Sequence, residues 1–215
     1  MKKVNTQGLI THFNEEPKGR VVGIARHGQT LLNKEDKIRS WLEVPLDETG
    51  FEEARELGDS ILESREEWDG IITSDLTRSV QTSLEISKVT GIPLLETTKV
   101  LRPINVGEFA GKDGKKAHEI IMEHARNNPD EPIGGGESFN TFKWRMLGGI
   151  VGILNRNRGL KLILCTHSRG ERLMFAWAMN DFDDNFEIDL EEFGRKGEPT
   201  ASLQTVTITS NIILS

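Results

Sequence analysis

Three short apolar runs, each followed by small or charged residues and then by a helical pattern, constrain the fold of this chain most. They cover residues 21–25, 70–74 and 160–165. In the segments between them, apolar residues fall three or four positions apart, which is the period of an amphipathic helix. Weaker patterns at 94–98 and 205–209 predict two further strands. Strands that alternate with helices at this spacing build a parallel sheet, so we expect an α/β fold.

The length and composition predict one domain over residues 1–215, with residues 1–19 as a polar N-terminal arm. No apolar run approaches the roughly 20 residues that span a bilayer, and no signal-peptide core precedes the first strand. Cys165 is the only cysteine, which excludes an internal disulfide and favours a cytoplasmic protein. The net charge of −7 argues against nucleic-acid and membrane partners. The sequence leaves monomer or homodimer open.

Residues that can take part in chemistry or anion binding lie at the end of each apolar run or directly after it. They are Arg26, His27 and Gly28 for the first run, Ser74 and Arg78 for the second, and Thr166 and His167 for the third. The carboxyl ends of parallel strands share one rim of the sheet, so we expect these side chains to meet. Guanidinium groups match phosphate geometry, and glycine lets backbone amides approach an anion closely. Two arginines and two histidines there would form a cationic cup suited to a phosphoryl group.

Structural interpretations compete with each of these assignments. Arg-His-Gly alone is short enough to occur by chance. Arg78 could be a solvated charge on a helix, His167 a core histidine, and Asn33 a helix cap. His118 and His124 lack the i, i+4 spacing of a zinc-binding helix, so we interpret them as surface residues and predict no metal site. We also expect no cofactor.

Taken together, six segments in fixed order resemble the histidine phosphatase superfamily, the metal-independent group that includes phosphoglycerate mutases and fructose-2,6-bisphosphatases. They are Arg26 to Thr30 with Asn33, Pro45 to Gly50, Ser74 to Thr82, Gly107 to Gly111, Gly135 to Ser138, and Thr166 to Ser168. With the alternating pattern, this resemblance implies a three-layer sandwich, a mostly parallel central sheet with helices on both faces. It also implies a cap over the active site at about residues 103–136.

The resemblance implies that His27 attacks phosphorus and carries the phosphoryl group as a covalent intermediate. Arg26, Arg78 and His167 would then hold the phosphoryl oxygens. The substrate-binding residues implied are Asn33, Gly28, Thr30, Thr166 and Ser168. The expected substrate is a small phosphorylated molecule or a phosphopeptide.

The chain departs from the family at Pro103, where relatives have a glutamate that protonates the leaving oxygen. Glu108, Asp113 or Glu137 could replace it, and Glu108 ranks first because it is closest in sequence. Glu108 could equally be a structural or solvated carboxylate. General-acid catalysis contributes about 10²–10⁴-fold, so its loss need not abolish turnover.

We therefore predict a histidine phosphatase, a phosphoric monoester hydrolase, whose rate falls steeply as the pKa of the leaving group rises. A phosphoglycerate mutase is the first alternative, although a mutase must shield its phosphohistidine and hold a second anionic group. A catalytically decayed phosphate-binding protein is the second alternative. Pro103 favours this second alternative, and the intact arginines and histidines oppose it.

Overall fold

The computed structural model describes residues 20–180, 182, 188, 193 and 199–208. The predicted arm at 1–19 lies outside these residues. The strands of the described part are Arg20–Arg26 (β1), Gly70–Ser74 (β2), Leu94–Thr98 (β3), Leu162–Thr166 (β4) and Leu203–Ile208 (β5). The last strand thus begins two residues before the predicted start, and Thr209, its predicted end, is outside the described range.

The five strands form one sheet in the order β3-β2-β4-β1-β5. All neighbours are parallel except β1 and β5, which pair antiparallel at one edge. The register places Arg26 opposite Thr166, and Thr73 opposite Cys165. Strands β1, β2 and β4 therefore end at the same rim, as the alternating pattern predicted.

Six α-helices lie in the described residues: Leu31–Lys34 (α1), Glu48–Ser64 (α2), Thr77–Thr90 (α3), Gly114–Asn127 (α4), Phe139–Arg156 (α5) and Ser168–Met179 (α6). Several begin at a side-chain cap. Asp47 accepts from the amide of Gly50 at the start of α2, and Ser138 accepts from the amide of Thr141 at the start of α5. Short 3₁₀ helices cover Lys99–Leu101, Gly107–Phe109 and Ile133–Gly135.

Alternate residues of each strand face opposite layers, which is the two-residue period of a strand. Leu162 and Leu164 pack in the cluster formed with α4, α5 and α6, whereas Ile163 and Cys165 pack in the cluster formed with α2 and α3. The predicted α/β fold with helices on both faces of the sheet is confirmed. Within the described residues, no helix combines the length and the apolar character needed to span a membrane.

Candidate active site

The backbone after β1 places His27 at the rim of the sheet. The His27 amide donates to the carbonyl of Thr166 at 3.2 Å, which extends the β1–β4 ladder by one residue. The next amide, of Gly28, donates to Oγ1 of Thr82 at 3.0 Å. A Cβ atom on Gly28 would lie 2.4 Å from the carbonyl oxygen of Gly50. Glycine is therefore required at position 28, because the loop that carries His27 touches the backbone of α2 there.

The hydrogen bonds of His27 define its tautomer. Nδ1 of His27 lies 2.7 Å from the carbonyl oxygen of Gly28, and a carbonyl only accepts, so Nδ1 carries the proton. Burial, followed by the charges of Arg78 and Arg26, holds the pKa of His27 well below 6.5. At neutral pH the imidazole is consequently uncharged, with a free lone pair on Nε2.

The second imidazole, His167, lies beside the first, with 5.0 Å between the ring centroids. Its Nδ1 accepts from Nε of Arg78 at 3.3 Å, so the proton is on Nε2, which donates to Oγ of Ser74 at 2.9 Å. Burial and Arg78 also hold the pKa of His167 well below 6.5. Both histidines are therefore neutral, and the positive charge of the predicted cup comes from arginines.

Arg78, in the first turn of α3, is held from three directions. Besides His167, its guanidinium donates to the carbonyls of Ser40 and Leu42, both at 2.9 Å. The side chain is 1% exposed, which excludes the surface-charge interpretation. Burial lowers the pKa of Arg78 to about 9, so it stays cationic at neutral pH.

Trp41, between the two carbonyls that hold Arg78, is fixed by the loop that follows β3. Its Nε1 donates to the carbonyl of Pro103 at 2.7 Å. The guanidinium carbons of Arg102 and Arg145 lie 4.8 and 5.8 Å from its ring. Trp41 thus connects the loop at residues 40–42, which positions Arg78, to the segment that follows β3.

The site opens into a cavity of about 820 Å³ whose lining is strongly basic. Its cationic side chains are Arg26, Lys37, Arg39, Arg78, Lys115, Arg169 and Arg172, and its carboxylates are Asp36 and Glu119. Sequence reasoning missed Lys37, Arg39 and Lys115 as parts of the site, and it ranked Arg169 and Arg172 as surface charges ahead of contacts to an anionic substrate. Arg169 and Arg172 were detectable, because they lie on the helix that follows His167. Burial and the charge of Arg26 lower the pKa of Arg39 to about 10.

The structure divides the predicted binding residues into two groups. Asn33 and Ser168 line the cavity, together with Arg26, His27, Arg78 and His167. Gly28, Thr30 and Thr166 are not among the described residues that line it. Thr30 caps α1 through the amide of Asn33, and Oγ1 of Thr166 donates to the carbonyl of Leu101 at 2.8 Å. These two hydroxyls therefore fix the backbone next to the site and are not among the described groups that face the cavity.

The replacements expected for the missing acid have other contacts. Pro103 lines the cavity, so an acid at that position would reach it. Glu108, ranked first, is exposed in a 3₁₀ turn and is not among the described lining residues. Asp113 caps α4, and Glu137 pairs with Arg145 at 2.7 Å. The carboxylates that do line the cavity, Asp36 and Glu119, are distant in sequence from Pro103.

Within the part of the chain that the structure describes, no group of three or more histidine, cysteine, aspartate or glutamate side chains is placed to hold a metal ion.

Comparison with known proteins agrees with this geometry. The family model of the histidine phosphatase superfamily (branch 1) matches residues 22–210. The chain belongs to this superfamily, which confirms the resemblance drawn from the six segments.

Its relatives include both phosphatases and mutases. It is 28% identical over 160 residues to phosphoglycerate mutase-like protein 4 of Arabidopsis thaliana, covering 72% of this chain and 69% of that protein. It is 29% identical over 149 residues to the metal-independent phosphoserine phosphatase of the same plant, covering 67% of this chain and 62% of the relative.

Solved structures share the fold. A mycobacterial glucosyl-3-phosphoglycerate phosphatase solved with VO3 has a TM-score of 0.70 at 19% identity, over 86% of this chain and 92% of its own. A phosphoglycerate mutase from Bacillus anthracis has a TM-score of 0.69 at 21% identity, over 94% and 95% of the two chains.

Proposed function

We propose that this protein is a phosphatase that hydrolyses a phosphomonoester through a phosphohistidine on His27. The main support is the state of His27: neutral, with its proton held on Nδ1 by a carbonyl, in a cavity whose lining includes five arginines. A nucleophile needs a free lone pair, and a phosphoryl group in transfer needs fixed positive charge. Arg26, Arg39 and Arg78 would supply this charge without a metal ion.

In the first step, the Nε2 lone pair of His27 attacks phosphorus in line with the ester oxygen. The N–P bond forms as the P–O bond breaks, and the electron pair goes to the leaving oxygen. In the second step, water attacks phosphorus, the N–P bond breaks, and the lone pair returns to Nε2. One proton of the water stays on the phosphate, and the other passes to the leaving oxygen through solvent. Ser168 lines the cavity, and its hydroxyl would donate to a phosphoryl oxygen through both steps. His167 also lines the cavity, and its Nε2–H would bind a phosphoryl oxygen by leaving Oγ of Ser74.

The leaving oxygen receives no proton from position 103, because Pro103 has no acidic group. We expect the rate to fall steeply as the pKa of the leaving group rises across aryl and alkyl phosphates. A flat dependence would show that a donor is present, and Glu119→Gln would then test the carboxylate that lines the cavity from α4.

Release of phosphate from p-nitrophenyl phosphate between pH 4 and 8 tests the proposal. His27→Ala should abolish the release of phosphate. It should also abolish any acid-labile phosphoprotein that is trapped when the reaction is quenched. His124→Ala is the matched control, because His124 lies on α4 and is not among the described lining residues. Turnover retained in His27→Ala would refute the mechanism.

The same assay distinguishes two alternatives, a mutase and a phosphate-binding protein without catalysis. A mutase would convert 3-phosphoglycerate to its 2-isomer without releasing phosphate. A phosphate-binding protein without catalysis is favoured by Pro103. It would bind vanadate or phosphate while leaving every phosphomonoester intact.

A further inference from the structure

Glu137 and Arg145 form an ion pair beside the segment that follows β3. Nε and Nη2 of Arg145 donate to the two carboxylate oxygens of Glu137 at 2.7 and 3.1 Å. The exposed fractions of the side chains are 12% for Glu137 and 21% for Arg145. Shielding both charges from water is costly unless further hydrogen bonds satisfy them. Neither residue is among the described residues that line the cavity, so contact with a phosphoryl group does not explain the pair.

The other hydrogen bonds of the pair go to the backbone between residues 99 and 105. Nη1 and Nη2 of Arg145 donate to four carbonyls of this segment, at distances between 2.8 and 3.2 Å. These carbonyls belong to Lys99, Val100, Arg102 and Pro103. Oε2 of Glu137 accepts from the amide of Asn105 at 2.9 Å. Residues 102–105 belong to no helix or strand, so the ion pair determines much of their path.

The segment held in this way contacts the loop that carries Trp41. The carbonyl of Pro103 accepts two hydrogen bonds, one from Nη2 of Arg145 and one from Nε1 of Trp41 at 2.7 Å. On the other side of the loop, Oγ of Ser40 accepts from the amide of Val106 at 3.0 Å. The position of the loop therefore depends on the position of the segment that Arg145 holds.

The same loop orients Arg78 in the active site. The carbonyls of Ser40 and Leu42 accept from its guanidinium, both at 2.9 Å, and its Nε donates to Nδ1 of His167 at 3.3 Å. Direct hydrogen bonds thus connect the ion pair on α5 to the two imidazoles. Displacing a group that binds the reacting phosphoryl group by about 1 Å can lower the rate about a hundredfold.

From these contacts we propose that Glu137 and Arg145 are positioning residues of the active site. They hold residues 102–105, and through them the loop at residues 40–42, so that Arg78 faces the phosphoryl group in a fixed orientation. Neither residue touches the substrate. This role rests on the proposed function, because it assumes that the phosphoryl group lies between His27 and Arg78.

Arg145→Lys tests the geometry of the pair while keeping its charge. One ammonium group cannot replace a planar fork that reaches four carbonyls and both carboxylate oxygens. The variant should lower kcat/KM for p-nitrophenyl phosphate about tenfold, and Glu137→Gln should act in the same direction. Arg156→Gln is the matched control, because it removes the ion pair with Glu96 elsewhere on α5, and it should change kcat/KM by less than twofold.

The titration of the two histidines separates positioning from a general loss of stability. Burial and then Arg78 lower the pKa of both His27 and His167. The charged groups that act on both imidazoles are Arg78, Arg26 and Arg39. If Arg145→Lys displaces Arg78, both pKa values should rise toward 6.5. NMR signals of the ring protons measure this rise without turnover, and His27→Asn and His167→Asn assign them.

A double-mutant cycle tests the path through the shared carbonyl. Trp41→Phe keeps an aromatic ring and removes the Nε1 donor to the carbonyl of Pro103. Because Arg145 donates to the same carbonyl, the double variant should lose clearly less kcat/KM than the product of the two single losses.

Three results would refute this role: a change in kcat/KM below twofold in Arg145→Lys, a loss of activity with unchanged pKa values of His27 and His167, or losses that multiply in the cycle. If Arg145→Lys does not fold, Glu137→Gln is measured in the same three ways. A wild-type protein that releases no phosphate would refute the proposed function alone, because the histidine titration still tests whether the pair positions Arg78.

Discussion

Two buried neutral histidines should make the folded protein sensitive to mild acid. The pKa values of His27 and His167 lie well below 6.5 in the folded state, because burial and Arg78 disfavour protonation. In the unfolded chain each titrates near 6.5. Below that pH, the unfolded state binds protons that the folded state does not. The free energy of unfolding therefore falls as the pH falls.

The size of this effect follows from linkage. Each histidine that stays neutral in the folded state costs about 1.4 kcal/mol per pH unit once the pH is well below 6.5. Between pH 7 and pH 5 this amounts to about 2 kcal/mol for each residue and about 4 kcal/mol for the pair. Domains are stable by only about 5–15 kcal/mol, so the loss is a large fraction of the total. Above pH 7 the two residues contribute no pH dependence.

Urea unfolding at pH 7, 6 and 5, followed by tryptophan fluorescence, measures the effect. Zwitterionic buffers are needed, because phosphate would bind the site and stabilise the folded state. His27→Asn and His167→Asn should each lose about half of the pH dependence, and the double variant should lose about 4 kcal/mol of it. Glu43 and Glu85, whose pKa values lie below 4.5, titrate at lower pH in all variants. The same loss of stability in wild type and the double variant would refute this reasoning.

Three further predictions concern the structure around the site. Trp41→Leu should lower kcat/KM for p-nitrophenyl phosphate about tenfold to a hundredfold by loosening the anchors of Arg78; a change below twofold contradicts it. Gly50→Ala, whose Cβ would lie 2.1 Å from a backbone oxygen, should cost about 3 kcal/mol in urea unfolding. Its control, Gly148→Ala, meets no atom within 4 Å and should stabilise α5 by about 1 kcal/mol. Cys165 is buried, and burial raises its pKa to about 11, so its thiol should resist iodoacetamide at pH 8 until the protein unfolds. Rapid labelling of Cys165 in the folded protein would contradict this prediction.

The centre of the site could be predicted because it depends on local patterns. Apolar runs identify strands, and the ends of parallel strands meet at one rim, which brings His27 and His167 together without knowledge of any long-range contact. Polar residues after each run then supply the candidate chemistry. The family segments added the roles, and the family itself is confirmed.

The loop after α1 could not be predicted, because its path depends on contacts distant in sequence. Asp36 and Ser40 adopt positive φ angles of 51° and 46°, which a sequence pattern does not reveal for these residues. This path brings Arg39 to the cavity and presents two carbonyls to Arg78. The position of Glu108 could not be predicted either: it is close to Pro103 in sequence, but it lies exposed in the 3₁₀ helix Gly107–Phe109 and is not among the described residues that line the cavity.

The position of β1 between β4 and β5 also determines when the site can form during protein synthesis. β1 is synthesised before both of its sheet neighbours, which follow it at a long distance in the sequence. Closing such long loops is slow and depends on completing the partner strands. A nascent polypeptide that has not yet reached residue 162 holds His27 but lacks the strand that pairs with β1. The site around His27 is therefore completed only after β4 has been synthesised.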